Sequence, residues 1–292
     1  MYTSWLWDTE VTGSILCMGR RQDNYFTLLN SSGFEQSSLP HMASSYSVLV
    51  TGALAPLCVA VAWALYRYRS QPELIWSVDV KTQMALRRYV LFESTHGKPD
   101  SVLQTFKEYA RRDILVKELL FTLEQDIFLA NAVTQSLPLT TLVLGTQCGY
   151  SVIKLLSLLP QEGKVYAVED EDNMADSAEE MILVAGFKNN QFKLLCQHPV
   201  DAIHVLKSQC GLKGVDLVLM DYKCDQYIHG LQALLEVGAL HPGTVILANN
   251  TNHPTAKDFM NHLHGAGSYR IVDCCNGLLK VGYVGPNSQD GH

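Results

Sequence analysis

Short apolar runs alternate with amphipathic segments from Thr140 onward, and this alternation restricts the fold more than any other feature of the chain. Each run has the length of a strand and no polar face, as strands buried on both faces of a parallel sheet do. The alternation predicts an α/β fold with a doubly wound, mostly parallel sheet. The predicted strands are TLVLG, KVYAVE, FKLLC, VDLVLMD and GTVILAN, and the predicted helices between them are Ser151–Leu159, Asp172–Val184, Asp201–Lys207, Gln226–Val237 and Thr255–His264.

Residues 81–134, before the predicted sheet, have apolar residues at helical spacing. The tetrapeptide GKPD separates two of these helices, and Asp100 is the predicted N-cap of the second. The stretch ILVKELLFTLEQDIFLANAV predicts a further helical segment.

A glycine turn follows the first predicted strand. Gly145 ends the strand, Gly149 follows, and the next helix begins near Ser151. Glycine allows a sharp turn and a close approach to a ligand, and the start of a helix offers free N–H groups. Because the spacing is G-x-x-x-G rather than G-x-G-x-x-G, the turn alone is compatible with a nucleotide-like cofactor cradle and with a purely structural connection.

Polar residues follow the other predicted strands, where ligands bind in sheets of this kind. Glu169 ends the second strand, and an acid about 20 residues beyond a glycine turn can hold ribose hydroxyls. The alternative is a solvated acidic loop. Asp221 follows the fourth strand, and Asn249 and Asn250 follow the fifth; these oxygens either bind a hard cation or cap helices. Lys223 is either a base or a solvated side chain.

An uncharged run from Ser47 to Leu65 is long enough to span a bilayer as a helix. Arg67 and Arg69 follow it, so the positive-inside rule puts the C-terminal part in the cytosol. We therefore predict a transmembrane helix over residues 46–66, after a poorly ordered extension over 1–45. The alternative is a secretory signal peptide.

Charge and cysteine usage exclude some classes of protein. The formal net charge is −7, and the absence of a Lys/Arg cluster argues against nucleic acid as a partner. The eight cysteines form no C-x-x-C pair, so we expect most of them to be buried thiols in a reducing compartment.

The motifs LVLGTQCGYS, MILVAGF, VDLVLMD, ALLEVGALHPGTVILANN and YVGP, in this order, resemble those of the class I S-adenosylmethionine-dependent methyltransferases. More specifically, the chain is similar to catechol O-methyltransferase and its membrane-anchored relatives. The resemblance implies a Rossmann-like, seven-stranded sheet flanked by helices over residues 80–286, preceded by one transmembrane helix. Residues 287–292 are then a flexible tail.

The resemblance also implies a site with two cofactors, S-adenosylmethionine and Mg²⁺. The donor would contact Gly145, Gly149, Tyr150, Ser151, Glu169 and Asp221. Mg²⁺ would lie on Asp221, Asn249 and Asn250 and bind both oxygens of a catechol. Lys223 would remove one hydroxyl proton, and the oxygen would then attack the sulfonium methyl group.

The chain departs from the family pattern at several of these positions. Asn249 stands where the family has an Asp, and Cys224 stands at the family's lysine, with Lys223 one residue earlier. The adenine-binding Ser-Gln of the family reads Pro199-Val200 here, beside His198. The substrate-orienting Glu before the last strand has no counterpart in DCCNGLLKVGYVGP.

Two functions follow as hypotheses. The first is a single-pass membrane enzyme of the endoplasmic reticulum or plasma membrane that faces the cytosol and methylates a catechol or related small phenol. The second is a non-catalytic protein of methyltransferase fold that serves as a binding or chaperone partner for membrane proteins. A methyltransferase with an unrelated substrate is a third reading.

Overall fold

The computed structural model describes residues 59–63 and 78–286. Residues 59–63 are helical and belong to a different unit of the chain from residues 78–286. The predicted extension over 1–45 and the tail over 287–292 lie outside the described residues, as does most of the predicted membrane helix over 46–66. Within the described ranges, no helix has both the length and the apolar character needed to cross a membrane.

Within residues 78–286, four helices precede the sheet: α1 (Val80–Glu93), α2 (Pro99–Ala110), α3 (Ile114–Leu119) and α4 (Leu123–Ser136). The predicted N-cap at Asp100 is wrong, because α2 begins at Pro99 and its N-cap is Lys98. Proline favours the first helical position, where its fixed φ fits and its missing N–H needs no partner. Asp100 instead lies in the first turn, where a negative charge interacts favourably with the helix dipole.

The stretch that was expected to form one helical segment is divided into α3 and α4. Leu120 ends α3 in an extended conformation, and Thr122 starts α4 with a capping box. The Thr122 hydroxyl accepts a hydrogen bond from the Gln125 backbone N–H at 3.2 Å, and Gln125 Oε1 accepts one from the Thr122 N–H at 2.9 Å. These reciprocal bonds satisfy two free donors of the helix start and fix the Gln125 side chain.

The sheet has seven strands in the order β3-β2-β1-β4-β5-β7-β6, which confirms the predicted fold class. Strands β1 to β5 are parallel, and β7 runs antiparallel to both β5 and β6. The strands are β1 (Thr140–Leu144), β2 (Lys164–Glu169), β3 (Phe192–Cys196), β4 (Leu217–Met220), β5 (Val245–Ala248), β6 (Tyr269–Cys275) and β7 (Leu278–Tyr283). The helices that follow β1 to β5 in turn are α5 (Tyr150–Leu156), α6 (Asp172–Val184), α7 (Pro199–Gln209), α8 (Tyr227–Glu236) and α9 (Lys257–Gly265).

Both faces of the sheet are covered by apolar side chains. Val143 packs into the core on one face, while its neighbours Leu142 and Leu144 pack into the core on the other. This alternation explains why β1 reads as a continuous apolar run. The chain leaves β1 toward β2 and later returns to β4 on the other side, so the strand order reverses at β1. Ligands of open α/β sheets bind at such a reversal.

The cysteines of the described region are free thiols, and most of them are not buried. Only Cys148 and Cys224 of these six are buried, whereas Cys196 and Cys274 are exposed. The expectation that most cysteines are buried is therefore wrong for this part of the chain. Cys196 and Cys274 lie on the two outermost strands, β3 and β6, where fewer neighbours cover a side chain.

Candidate functional site

The turn after β1 lies directly against the end of β4. Gly145 has φ +87°, and a Cβ atom added there would lie 2.1 Å from the carbonyl oxygen of Asp221. Its N–H donates to the carbonyl of Val168 at the end of β2 at 2.9 Å. Only glycine fits this position, and the glycine turn thereby joins the carboxyl ends of β1, β2 and β4.

The same turn continues in left-handed backbone conformations at Gln147 (φ 47°), Cys148 (φ 59°) and Gly149 (φ 91°). A side chain other than glycine pays a steric cost in this region, so the conformation must be held by its surroundings. Gln147 Nε2 donates to the carbonyl of Asp221 at 3.1 Å, and Cys148 is fully buried. The hydrogen bond of Gln147 and the burial of Cys148 thus hold the conformation of the turn.

Glu169 connects the end of β2 to this turn. Its Oε2 accepts hydrogen bonds from the N–H and the hydroxyl of Thr146 at 2.9 Å and 2.8 Å, and its Oε1 accepts one from the N–H of Asp170 at 3.1 Å. Burial raises the pKa of the carboxyl, and the bonds from Thr146 oppose this effect. These hydrogen bonds hold the Glu169 carboxylate, the group predicted to bind the ribose hydroxyls, in a fixed position beside the glycine turn.

Asp221 and Asn249, which end neighbouring strands, are hydrogen-bonded to each other. Asp221 Oδ1 accepts from Asn249 Nδ2 at 2.9 Å, and Asn249 Oδ1 accepts from Gln125 Nε2 at 3.2 Å. Burial raises the pKa of Asp221 to about 7, while the bond from Asn249 lowers it and the nearby charge of Glu169 raises it. Among the described residues, Asp221 Oδ2 is buried without a hydrogen-bond partner.

The residues of the predicted Mg²⁺ site do not fit the ion as they are arranged. Mg²⁺ requires oxygen ligands that face it, but Asn249 turns its N–H toward Asp221 and its oxygen toward Gln125. Asn250 is partly exposed, and its backbone carbonyl accepts from the N–H of His253 at 2.9 Å. The described residues contain no group of three or more His, Cys, Asp or Glu side chains able to hold a metal.

Lys223 and Cys224 have opposite environments. Lys223 is exposed and lines the cleft beside the glycine turn. Cys224 is buried, with its thiol 3.5 Å from the carbonyl oxygen of Asn250. Burial raises the pKa of this thiol to about 12, so Cys224 cannot replace the lysine that the family carries at this position. Lys223 is therefore the basic side chain available at this strand end.

Tyr150 and Ser151 support the turn from inside the protein. The Tyr150 hydroxyl donates to Asp126 Oδ2 at 3.1 Å, and Lys107 Nζ lies 2.5 Å from the same oxygen. The Ser151 hydroxyl donates to the carbonyl of Thr146 at 3.4 Å. Both side chains are buried and use their polar atoms internally, so they reach a ligand at the turn only through their backbone.

Replacing Asp126 with Asn should lower the free energy of unfolding by about 1–3 kcal/mol, because the Lys107 ammonium loses its buried counter-charge. Urea unfolding followed by circular dichroism measures the change. Glu180→Gln is the matched control: Glu180 pairs with Arg87 at a partly exposed site, and its loss should cost less than about 1 kcal/mol. Equal losses in the two variants would contradict a structural role for the buried pair.

The strand ends enclose a cleft of about 140 Å³. Its lining residues are Gly145, Gln147, Glu169, Asp170, Glu171, Met174, Asp221, Tyr222, Lys223 and Gln226. The volume is below the roughly 300 Å³ at which ligand pockets usually begin. His198 follows β3 and Gln226 follows β4, and β2 and β1 lie between these two strands in the sheet. The two side chains nevertheless form a hydrogen bond of 3.1 Å. Gln226 also lines the cleft, so this bond lies at the edge of the cleft.

Sequence reasoning did not identify Gln125, Thr146, Gln147 and Gln226 as part of this site. The T-x-x-Q spacing of Thr122 and Gln125 is a helix-start signal that could have located the beginning of α4. Nothing in the sequence showed that this helix start reaches Asn249.

Residues 93–254 match the sequence model of a family described as O-methyltransferase. Transmembrane O-methyltransferase from Homo sapiens is 33% identical over 209 residues, which cover 68% of this chain and 71% of that protein. Catechol O-methyltransferase from Mus musculus is 27% identical over 244 residues, which cover 79% of this chain and 88% of that protein.

Solved structures show the same fold at lower identity. An O-methyltransferase from Bacillus cereus in complex with SAH aligns with a TM-score of 0.53 at 19% identity, over 71% of this chain and all (100%) of that one. The O-methyltransferase TomG from Streptomyces achromogenes, in complex with SAM, aligns with a TM-score of 0.52 at 20% identity, over 63% of this chain and 89% of that one. With the family match and the curated relatives, the conclusion is that this chain belongs to the O-methyltransferase family, of the class I S-adenosylmethionine-dependent fold that includes the transmembrane and catechol O-methyltransferases.

Proposed function

We propose that this chain transfers a methyl group from S-adenosylmethionine to an aromatic hydroxyl group of a small catechol or related phenol. The observation that carries the proposal is the close approach of Gly145 to Asp221, beside the fixed carboxylate of Glu169. A side chain at position 145 would clash with the backbone of Asp221, so only glycine lets the turn pack against the end of β4. This packing, together with the fixed Glu169 carboxylate, supports a cofactor cradle at the turn.

The charges around the cleft fit the donor. The lining of the cleft contains four acids, Glu169, Asp170, Glu171 and Asp221, and one basic side chain, Lys223. S-adenosylmethionine carries a sulfonium and an ammonium group, so an acidic cleft attracts it. Glu169 is positioned to hold the ribose hydroxyls. Because the cleft is small, donor binding requires it to widen, and we expect the His198–Gln226 bond at its edge to open.

The proposed mechanism assigns proton removal to Lys223. When bound, S-adenosylmethionine supplies an electrophilic methyl group that passes from its sulfonium sulfur to the acceptor oxygen. Lys223 Nζ accepts the proton of the acceptor hydroxyl, and the oxygen electron pair forms the new bond to carbon. Glu169 and the glycine turn restrict the position of the reacting groups, which reduces the entropic part of the barrier. No step runs through a metal, because Asn249 presents N–H rather than oxygen to Asp221.

Membrane anchoring is part of the proposal. The uncharged run from Ser47 to Leu65 and the following Arg67 and Arg69 support a single membrane helix with the enzyme domain in the cytosol, in the endoplasmic reticulum or plasma membrane. Relatives that cover most of this domain are named transmembrane O-methyltransferases, which agrees with this arrangement. A small-molecule acceptor then reaches the cleft from the cytosol.

A second candidate function is that of a non-catalytic partner of membrane proteins. Cys224 is buried at the family's lysine position and the cleft measures only about 140 Å³, and both observations favour it over catalysis. The two functions differ in one measurable property, which is donor binding followed by turnover.

Calorimetric titration of S-adenosylmethionine into the full-length protein in detergent tests the proposed function. We expect micromolar affinity, followed by methylation of catechol or a simple phenol. Glu169→Gln should weaken donor binding by about tenfold or more, since a charge-assisted hydrogen bond contributes about 1.5–3 kcal/mol. Asp170→Asn removes an exposed acid from the same cleft and should change the affinity much less. An absence of binding at millimolar donor would reject the enzyme and favour the partner function.

A further inference from the structure

We propose that a chain of buried hydrogen bonds, Gln125–Asn249–Asp221, takes the place of a divalent cation in this protein. Methyl transfer then needs no metal, and the acceptor needs only one hydroxyl group. The part of this inference that concerns the acceptor rests on the proposed function, whereas the part that concerns the metal does not. The hydrogen-bond chain is called the amide relay below.

Two backbone groups that contact Gln125 fix the donor and acceptor directions of the hydrogen bonds in the amide relay. Gln125 Oε1 accepts from the backbone N–H of Thr122 at 2.9 Å, and Gln125 Nε2 donates to the backbone carbonyl of Asn276 at 3.0 Å. A backbone N–H can only donate and a carbonyl can only accept. The orientation of the Gln125 amide is therefore determined, and its Nε2 is the atom that faces Asn249.

The orientation of Gln125 determines the orientation of Asn249. Because Gln125 Nε2 is a donor, the Asn249 atom that faces it at 3.2 Å must be the amide oxygen. The Asn249 NH₂ group then faces Asp221 Oδ1 at 2.9 Å. A cation beside Asp221 would need the oxygen of Asn249, and reversing this amide would set its NH₂ against the NH₂ of Gln125.

Burial makes this reversal costly. Gln125, Asn249 and Asp221 are 6%, 7% and 2% exposed, so water cannot replace a lost partner. An unsatisfied polar group in such a position loses its full hydration. The relay also contains a single carboxylate, that of Asp221. An acid at position 249 would add a second negative charge, which favours the binding of a hard cation. Position 249 therefore decides between a hydrogen-bond relay and a metal site.

The acceptor class follows from the missing ion. A hard cation prefers oxygen ligands, so a bound ion would give the second hydroxyl of a catechol a role in binding. With the amide relay in place of the ion, the second hydroxyl has no such role. We therefore expect phenols with a single hydroxyl to be methylated as efficiently as catechols, and we expect chelators to have no effect on the rate.

The metal part is tested by electron paramagnetic resonance titration of Mn²⁺ into the full-length protein in detergent. We expect no saturable binding at the cleft in the wild-type protein. Asn249→Asp should bind Mn²⁺ saturably, because it replaces the amide with an anionic oxygen ligand beside Asp221. Asn252→Asp is the matched control, since it adds the same charge at an exposed position outside the cleft, leaves the relay intact, and should create no saturable Mn²⁺ site. Saturable Mn²⁺ binding to the wild-type protein would overturn the proposal, and that measurement requires no variant to fold.

Turnover with EDTA tests the acceptor part. Equal rates for phenol and catechol in EDTA support the proposal, and a rate that requires added Mg²⁺ contradicts it. If S-adenosylmethionine does not bind, the proposed function fails, while the Mn²⁺ titration still decides whether the relay excludes a metal. The two failures are thus distinguishable.

Discussion

Lys223→Met is expected to lower kcat by about 10²–10⁴-fold, the usual contribution of a general base. Lys223 lines the cleft at the end of β4, and the neighbouring Cys224 is buried with a raised pKa of about 12. Met keeps the length of the side chain and removes the amine, so donor affinity should change little. Steady-state kinetics with catechol and calorimetry with S-adenosylmethionine measure the two effects separately.

Lys213→Met provides the control for this substitution. Lys213 is exposed and is not among the cleft residues, so its replacement should leave kcat within about twofold of the wild-type value. Undiminished kcat in Lys223→Met would show that this lysine is not the base. Loss of donor binding in the same variant would show that Lys223 contributes to cofactor binding rather than to proton removal.

Gly145→Ala should remove donor binding and lower the free energy of unfolding by about 2–4 kcal/mol. The new Cβ would meet the carbonyl oxygen of Asp221 at 2.1 Å, at a backbone φ of +87°. Relief of this clash must separate the turn after β1 from the end of β4, and the cradle depends on that contact. Urea unfolding measures the first effect, and calorimetric titration measures the second.

Gly243→Ala is the matched control, because Gly243 also has a positive φ, +101°, but no heavy atom within 4 Å of the added Cβ. It should cost about 1 kcal/mol from backbone strain alone and leave donor affinity unchanged. Similar losses of stability in the two variants would mean that the close approach at Gly145 adds nothing. Normal donor affinity in Gly145→Ala would mean that the turn is a structural connection.

Local sequence patterns were sufficient to predict the parallel part of the sheet. A strand buried on both faces must be apolar along its whole length, and Leu142, Val143 and Leu144 show this directly. The predicted glycine turn was also correct in position, since sharp backbone turns require glycine wherever they occur. Asp100 was assigned as a helix cap because its side chain suits that role, but Pro99 begins the helix one residue earlier.

The roles of the side chains at the strand ends required the tertiary structure. Gln125 and Asn249 are 124 residues apart, and Gln125 and Asn276 are 151 apart, so no local pattern reports their contacts. The sequence placed an oxygen-bearing side chain at position 249, and only the packing of α4 against the β6–β7 turn determined which atom of its amide faces Asp221. The sequence thus determined the fold and the position of the site, because both follow from local patterns of apolar residues and glycines. The three-dimensional arrangement of distant polar groups determined the chemistry, because the direction of a hydrogen bond depends on every partner at once.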